Sequence, residues 1–141
     1  MKLRLLFFLF IGLVYSQRVV GYYPWWMQDE FQPQDLDLET FTHINHAFAW
    51  PNEEGEIEAP IGMFDASIAD HIHNNNRKFL LSLGGWGAAD GFVAATSTYE
   101  LRSVFISNIL DKFISYGYDG ADIDWEHPQT NEQRNNLSLF I

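Results

Sequence analysis

The sequence has 141 residues and a formal net charge of −11, with 19 acidic against 8 basic side chains. An acidic chain is repelled by the phosphates of nucleic acids, so the charge argues against nucleic-acid binding. The sequence contains no cysteine, so no disulfide supports the fold and its stability has to come from core burial.

The N-terminus has the pattern of a secretory signal peptide. Lys2 and Arg4 precede an apolar run over residues 5–14, and the small Ser16 is a suitable cleavage position. The run is too short for a comfortable membrane span, so a retained anchor is the weaker alternative. We therefore expect a signal peptide over residues 1–16 and a secreted, extracellular protein that has no membrane association after cleavage.

The remaining chain alternates predicted strands and helices. The longest helix has one apolar face, formed by Leu101, Phe105, Ile109 and Phe113, and Gly117 is expected to end it. This alternation is typical of a parallel α/β protein. Strands are predicted over residues 18–23, 42–50 and 78–83, with a short turn or helix over 35–40 and a surface loop over 52–58. Helices are predicted over residues 65–75, capped by Asp65, and from Ser97 or Thr98 to Gly117. A last strand follows, and a polar segment from Gln129 begins another helix.

The last predicted strand interleaves carboxylates with apolar residues. Because successive strand residues face opposite sides, Asp122, Asp124 and Glu126 share one face, whereas Ala121, Ile123 and Trp125 share the other. Three carboxyls this close cannot all ionise in a partly desolvated site, so the pKa of at least one is expected to rise. A carboxyl that stays protonated near neutral pH can serve as a general acid.

Two other interpretations of this pattern are weaker. A solvated acidic edge strand would not need the short helix-to-strand connection at Gly117, which favours a buried parallel strand. A calcium loop needs Gly at the sixth position from Asp122 and Glu at the twelfth, where the sequence has His127 and Gln133.

Residues 84–87, Gly-Gly-Trp-Gly, lack the lysine and spacing of a phosphate loop and indicate a tight turn. We expect neither a metal nor a cofactor.

Residues 119–126, Asp-Gly-Ala-Asp-Ile-Asp-Trp-Glu, closely resemble the D-G-x-D-x-D-x-E signature of family 18 glycoside hydrolases, the chitinase family. Two further segments agree in kind and order. Residues 20–26, Val-Gly-Tyr-Tyr-Pro-Trp-Trp, look like the first barrel strand of the family, and residues 82–86, Ser-Leu-Gly-Gly-Trp, are similar to its S-x-G-G third strand. The resemblance covers residues 18–141, and Trp125 favours the chitinase branch. His127 departs from the family, because an aromatic residue, often Tyr, is common there.

The resemblance implies a (β/α)8 TIM barrel, with its chemistry at the C-terminal ends of the strands. Residues 17–141 would supply its N-terminal half, with about the first four strands. A complete barrel of this type needs about 250 residues, so we expect the sequence to belong to a longer protein, monomeric when complete, or to be a truncated product. A genuine small domain is the weaker alternative.

The resemblance also implies hydrolysis of chitin or N-acetylglucosamine oligosaccharides by a retaining, substrate-assisted mechanism. Glu126 would be the general acid and base, Asp124 would hold the acetamido N–H of the substrate, and Asp122 would share a proton with Asp124. Ser82 would support Asp122 by a hydrogen bond, and Asp119 is assigned a supporting role beside these carboxylates. Exposed aromatic rings stack on sugar faces, so substrate contacts are expected from Tyr22, Trp25, Trp26, Trp86 and Trp125. A chitinase-like lectin and an inert truncated product remain alternatives.

Overall fold

The computed structural model describes residues 17–141, so the predicted signal peptide lies outside the described residues. Strands and α-helices are interspersed along this part of the chain. The strands are β1 (Val20–Pro24), β2 (His43–Pro51), β3 (Ile57–Glu58), β4 (Lys78–Gly84) and β5 (Gly120–Asp124). The α-helices are α1 (Ala66–Asn74), α2 (Ala89–Ala95), α3 (Tyr99–Tyr116) and α4 (Asn131–Phe140), with short 3-10 helices at Trp25–Met27 and Pro33–Asp35.

Four strands form a parallel sheet in the order β1-β2-β4-β5. The register places Tyr22 beside Asn45 and Ser82 beside Asp122, so residues that face one side of the sheet come from all four strands. The short β3 pairs with the end of β2 in the antiparallel sense. Parallel neighbours in chain order are what the predicted barrel requires of four consecutive strands.

The hydrophobic core lies on one face of the sheet. From β4, the side chains of Phe79, Leu81 and Leu83 are fully buried, because alternate residues of a strand point to the same side. They belong to one cluster with Ile72 of α1 and Phe105 of α3. The other face is thereby left to the residues between them, among them Ser82.

Local capping sets the helix boundaries. Asp65 accepts a 2.8 Å hydrogen bond from the Ser67 N–H and caps α1, as predicted. Thr98 accepts a hydrogen bond from the Leu101 N–H and caps α3, and Gly117 ends that helix in the left-handed region with a φ of 76°. The predicted start of α1 and end of α3 are therefore confirmed.

The predicted surface loop over residues 52–58 is confirmed for residues 52–56, which form a turn with exposed Glu53, Glu54 and Glu56, but not for residues 57–58. Ile57–Glu58 forms β3 against Trp50 and Pro51 at the end of β2. Gly55 is buried, and its carbonyl accepts a 2.8 Å hydrogen bond from the Asn108 side chain of α3. This segment is therefore attached to both the sheet and the longest helix.

Candidate active site

The carboxylates of β5 lie at the C-terminal edge of the sheet. Asp122 and Asp124 belong to the strand, and Glu126 follows it by two residues with a side chain that is 32% exposed. Parallel strands end at the same edge, so the turn that follows β4 at Gly84 stands beside them. The structure therefore gathers these three predicted residues at one edge.

Asp122 is held by donors from two other strands. Its Oδ2 accepts a 2.7 Å hydrogen bond from the Ser82 hydroxyl of β4 and a 2.9 Å hydrogen bond from the Tyr22 hydroxyl of β1. Burial, followed by the hydrogen bond to Asp122, raises the pKa of Tyr22 above its ordinary value. The Tyr22 hydroxyl therefore remains a donor, and its bond to Asp122 was not anticipated from the sequence.

The pKa of Asp124 is raised above its ordinary value. Partial burial is the main cause, followed by the negative charges of Glu126 and Asp122, while His127 acts in the opposite direction. Asp124 therefore keeps a proton to a higher pH than a free aspartate does. This is the behaviour expected of clustered carboxyls.

The turn after β4 approaches Asp124 closely. The Gly85 N–H donates a 3.0 Å hydrogen bond to the Asp124 carbonyl. A Cβ at Gly84 would lie 2.1 Å from that carbonyl oxygen, and Gly84 has a φ of 123°. Only glycine fits here, because both the space and the backbone conformation exclude a side chain.

Glu126 is followed by an exposed His127. The Nε2 atom of His127 lies 3.6 Å from Oε2 of Glu126, and its ring meets Trp86 edge-on with centroids 6.3 Å apart. Trp86 itself is 86% exposed. The loops after β4 and β5 thus place His127 between Trp86 and Glu126.

An aromatic cleft of about 580 Å³ adjoins the carboxylates. The predicted Trp25, Trp26 and Trp86 line it, and Tyr22 borders it through an aromatic contact with Phe48, with centroids 5.9 Å apart. Further lining comes from residues that the sequence analysis missed, namely Phe48, Trp50 and Asp90.

A local irregularity explains why the β2 residues of the cleft were missed. The pairing of β2 with β4 shifts between His46 and Ala49. Simple alternation from Asn45, which pairs with Tyr22, would place residues 47 and 49 toward the cleft. Those two alanines are instead buried, and Phe48 and Trp50 line the cleft. The two large aromatic residues of β2 were the available signal, but the shift was not visible in the sequence.

The prediction that Trp125 contacts substrate is wrong. Its side chain is only 6% exposed and stacks on Phe92 with ring centroids 5.3 Å apart. Strand alternation turns it away from the carboxylates and into the core. Among residues 17–141, its indole N–H has no hydrogen-bond partner.

Asp119 lies away from the other carboxylates, at the opposite end of β5. It accepts hydrogen bonds from Lys78 Nζ at 2.6 Å, His73 Nε2 at 2.8 Å and the Phe79 N–H at 2.9 Å. Partial burial raises its pKa, but these three donors outweigh burial and hold the pKa below its ordinary value. The predicted supporting role beside the catalytic carboxylates is therefore corrected, since Asp119 instead connects α1, β4 and β5.

Two negative findings apply to residues 17–141. No group of three or more histidine and acidic side chains in this part of the chain is arranged to hold a metal ion. No helix within the same range is long and apolar enough to cross a membrane.

Carboxylates at the C-terminal ends of parallel strands, beside an aromatic cleft, are the arrangement expected of a barrel enzyme that acts on carbohydrate. The family model of glycosyl hydrolases family 18 matches residues 18–141. The chain belongs to glycosyl hydrolases family 18.

Three similar proteins illustrate this membership. Endochitinase 1 of Metarhizium anisopliae is 40% identical over 133 residues, which cover 79% of this chain and 31% of that protein. A chitinase-like effector of Moniliophthora roreri is 33% identical over 112 residues, which cover 77% of this chain and 27% of that protein. The crystal structure of a family 18 chitinase from Cycas revoluta in complex with (GlcNAc)3 matches with a TM-score of 0.75 and 28% identity, over 86% of this chain and 37% of that one.

The structural match confirms the predicted α/β barrel class. The chain spans only 27% and 31% of the lengths of the two curated relatives named above.

Proposed function

We propose that the protein is a chitinase-type glycoside hydrolase that cleaves β-1,4 linkages between N-acetylglucosamine units. The supporting observation is that the three carboxylates differ in their hydrogen-bond partners. Tyr22 and Ser82 engage Asp122, whereas within residues 17–141 no side-chain hydrogen bond reaches Asp124 or Glu126. The latter two are thus available to a ligand.

In the proposed mechanism Glu126 donates its proton to the glycosidic oxygen as the leaving sugar departs. The acetamido oxygen of the substrate attacks the anomeric carbon and forms an oxazolinium intermediate, so no protein nucleophile is required. Glu126 then takes a proton from water, which attacks the same carbon from the vacated side. Two inversions give net retention of configuration.

Asp124 would accept a hydrogen bond from the acetamido N–H of the substrate and stabilise the positive charge that develops on the oxazolinium ring. The raised pKa of Asp124 supports a proton shared within the pair that it forms with Asp122. Ser82 and Tyr22 would keep Asp122 oriented toward its partner. Each step then has a named group at one edge of the sheet.

Substrate binding is proposed for the aromatic cleft. Trp25, Trp26 and Trp86 present apolar ring faces, which suit the apolar faces of sugar rings. The Cycas revoluta relative was crystallised with (GlcNAc)3, which supports an N-acetylglucosamine oligosaccharide as the ligand. We further propose that residues 1–16 direct secretion and that the protein acts outside the cell as a monomer, without a cofactor.

The test is the Glu126→Gln substitution in the protein at the full length that its natural source produces. Loss of the acid is expected to reduce cleavage of a β-1,4-linked N-acetylglucosamine tetramer at least about 100-fold. Binding of the tetramer, measured by calorimetry, should change only a few-fold because the amide preserves the shape of the side chain. Products are quantified by mass spectrometry.

The matched control is Glu39→Gln, the same change at an exposed position away from the cleft. It should cleave at the wild-type rate. Wild-type cleavage by the Glu126→Gln variant would refute the proposal.

A second candidate function is oligosaccharide binding without cleavage. It is favoured by one observation, the 33% identity to a protein described as a chitinase-like effector. The presence of Glu126 argues against it. Tetramer binding by the wild-type protein with no product at any pH would establish this alternative.

A further inference from the structure

Trp50 is a half-buried tryptophan of the cleft whose indole N–H has a side-chain partner. Its Nε1 atom donates a 3.3 Å hydrogen bond to Oε2 of Glu58 on β3. The two residues are paired in the antiparallel register of β2 and β3, and paired residues of neighbouring strands lie close enough for their side chains to interact. The polar edge of the indole is therefore held by β3, and the rest of the ring lines the cleft.

Glu58 is in turn held by the turn that connects β2 to β3. Its Oε1 accepts a 3.4 Å hydrogen bond from Nδ2 of Asn52, so each oxygen of the carboxylate has a donor. Oδ1 of Asn52 accepts hydrogen bonds from the N–H groups of Glu54 and Glu56, at 3.1 Å and 2.9 Å. The turn thus supports the carboxylate that holds Trp50.

The same turn is attached to α3. Gly55 is buried, its N–H donates a 3.1 Å hydrogen bond to the Asn52 carbonyl, and its carbonyl accepts a 2.8 Å hydrogen bond from the Asn108 side chain. The segment from Trp50 to Glu58 therefore rests on the longest helix, which makes the position of Trp50 a fixed feature of the cleft.

Trp50 lies at a distance from the proposed reacting carboxylates. β2 pairs with β4, and β4 pairs with β5, so two strand spacings, or about 10 Å, separate β2 from β5. In the proposed mechanism the sugar at the bond to be cut lies against Asp124 and Glu126. A sugar in contact with Trp50 is therefore a different unit of the same chain.

We propose that Trp50 binds a sugar unit away from the bond that is cut, and that Glu58 is the positioning residue that holds the Trp50 ring. The ligand is a β-1,4-linked N-acetylglucosamine chain long enough to reach from the carboxylates to the end of β2. The flat apolar face of an indole suits the apolar face of a sugar ring, and the hydrogen bond to Glu58 fixes the angle of that face. The inference rests on the proposed function, because it takes this chain to be the substrate.

The experiment compares KM for the N-acetylglucosamine hexamer and trimer in wild type, Trp50→Leu and Trp50→Phe, all at the full length that the natural source produces. Leucine keeps apolar bulk but loses the flat ring, so KM for the hexamer should rise about tenfold more than KM for the trimer. Phenylalanine keeps a smaller ring and should lose about threefold.

A folding defect would lower the active fraction, and with it kcat, for both substrates without changing the ratio of the two KM values. An equal ratio of hexamer KM to trimer KM in wild type and Trp50→Leu would overturn the proposal. Tyr99→Ala, which removes an exposed aromatic ring at the start of α3, should keep the wild-type ratio.

The role of Glu58 is tested by Glu58→Ala in the wild-type and Trp50→Phe backgrounds. Phenylalanine has no N–H for the carboxylate to hold. Glu58→Ala should therefore raise the ratio of hexamer KM to trimer KM about threefold when Trp50 is present and leave it unchanged in Trp50→Phe. Equal effects in both backgrounds would overturn the positioning role. The matched control is Glu56→Ala, the same change in the same turn, whose carboxylate accepts from Asn52 and not from the indole.

Binding measurements distinguish failure of this inference from failure of the proposed function. If the wild-type protein cleaves no tetramer at any pH, the proposed function has failed, and Kd for the hexamer and the trimer is then measured by calorimetry. Hexamer binding about tenfold tighter than trimer binding, with most of that preference lost in Trp50→Leu, supports the inference. An undiminished preference in Trp50→Leu, or no binding of either oligomer, overturns it.

Discussion

Asp122 receives two hydroxyl donors on a single oxygen, Tyr22 from β1 and Ser82 from β4. Hydrogen bonds to a charged acceptor are stronger than neutral ones, and two of them fix the plane of the carboxylate. The orientation of the residue that faces Asp124 is thus set by strands other than its own. Activity should therefore depend on residues that need not touch the sugar.

Ser82→Ala and Tyr22→Phe each remove one of these donors and leave the other. We expect each single variant to lower kcat about tenfold, because a hydrogen bond to a charged group is lost while the second still orients Asp122. The double variant should lose more than the product of the two, because it leaves the carboxylate without either donor. Steady-state kinetics on the tetramer measure this coupling.

Ser103→Ala is the control for the serine change, since its hydroxyl only donates to a carbonyl of α3. Strict multiplicativity of the two single effects would show that the donors do not act on one group.

Strand alternation predicted that Asp122, Asp124 and Glu126 share one face, and the structure brings the three residues to one edge of the sheet. The same rule places Trp125 on the opposite face, and its assignment to substrate was wrong because aromatic character was given more weight than position in the strand. The contact between Tyr22 and Asp122 spans 100 residues, and no local pattern reports it. It became visible only when the register of four strands was known.

At the scale of elements, Asp119 fastens the start of β5 to its neighbours. It accepts donors from His73 at the end of α1 and from Lys78 and Phe79 in β4. One carboxylate thus satisfies two charged or polar side chains and a backbone N–H at the edge opposite the site. These contacts tie the start of the strand that carries Asp122 and Asp124 to α1 and β4.

Asp119→Asn should lower the free energy of unfolding by about 1 kcal/mol at pH 7, a modest value because solvent screens the Lys78 and His73 contacts. The pKa of Asp119 is lowered in the folded state, so its contribution is fully present above the unfolded value of about 3.9. It is lost as the pH falls through the folded value. Wild type and variant should therefore converge in strong acid, as measured by urea unfolding.

Asp111→Asn, an exposed change on α3, provides the baseline for this comparison. A stability difference between wild type and Asp119→Asn that persists unchanged at low pH would contradict the assigned charge effect.

The elements that the sequence predicted are those with strong local signals. Asp65 and Gly117 mark helix ends by their own chemistry, and β4 is a continuous apolar run. The seven-residue α2 was missed because it is short and contains Gly91. The two-residue β3 exists only through its pairing with β2, so its sequence alone carries no strand pattern.

At the scale of the whole molecule, the described sheet is open at both sides. β1 and β5 each pair with one neighbour within residues 17–141. Beside β5, an apolar groove runs between α3 and α4, with Ile106, Leu110 and Phe140 among its lining residues. Unpaired strand edges and apolar grooves are usually covered in stable proteins.

We therefore expect the protein, taken from its natural source, to have an intact mass well above the 16.3 kDa of this sequence. A complete barrel needs about 250 residues, and the curated relatives are three to four times longer than the matched portion. Intact-mass spectrometry decides the question. A mass equal to residues 17–141 would mean that the open sheet is the product, and cleavage would then be an untenable assignment.

The close approach of Gly84 to the Asp124 carbonyl has a practical consequence for protein engineering. A mutant library that varies the cleft lining can sample Phe48, Trp50 and Trp86. Codon 84 offers no such freedom, because every replacement would push against the backbone carbonyl of Asp124. Variants at position 84 would therefore use screening capacity that is better given to positions where a substitution can change specificity.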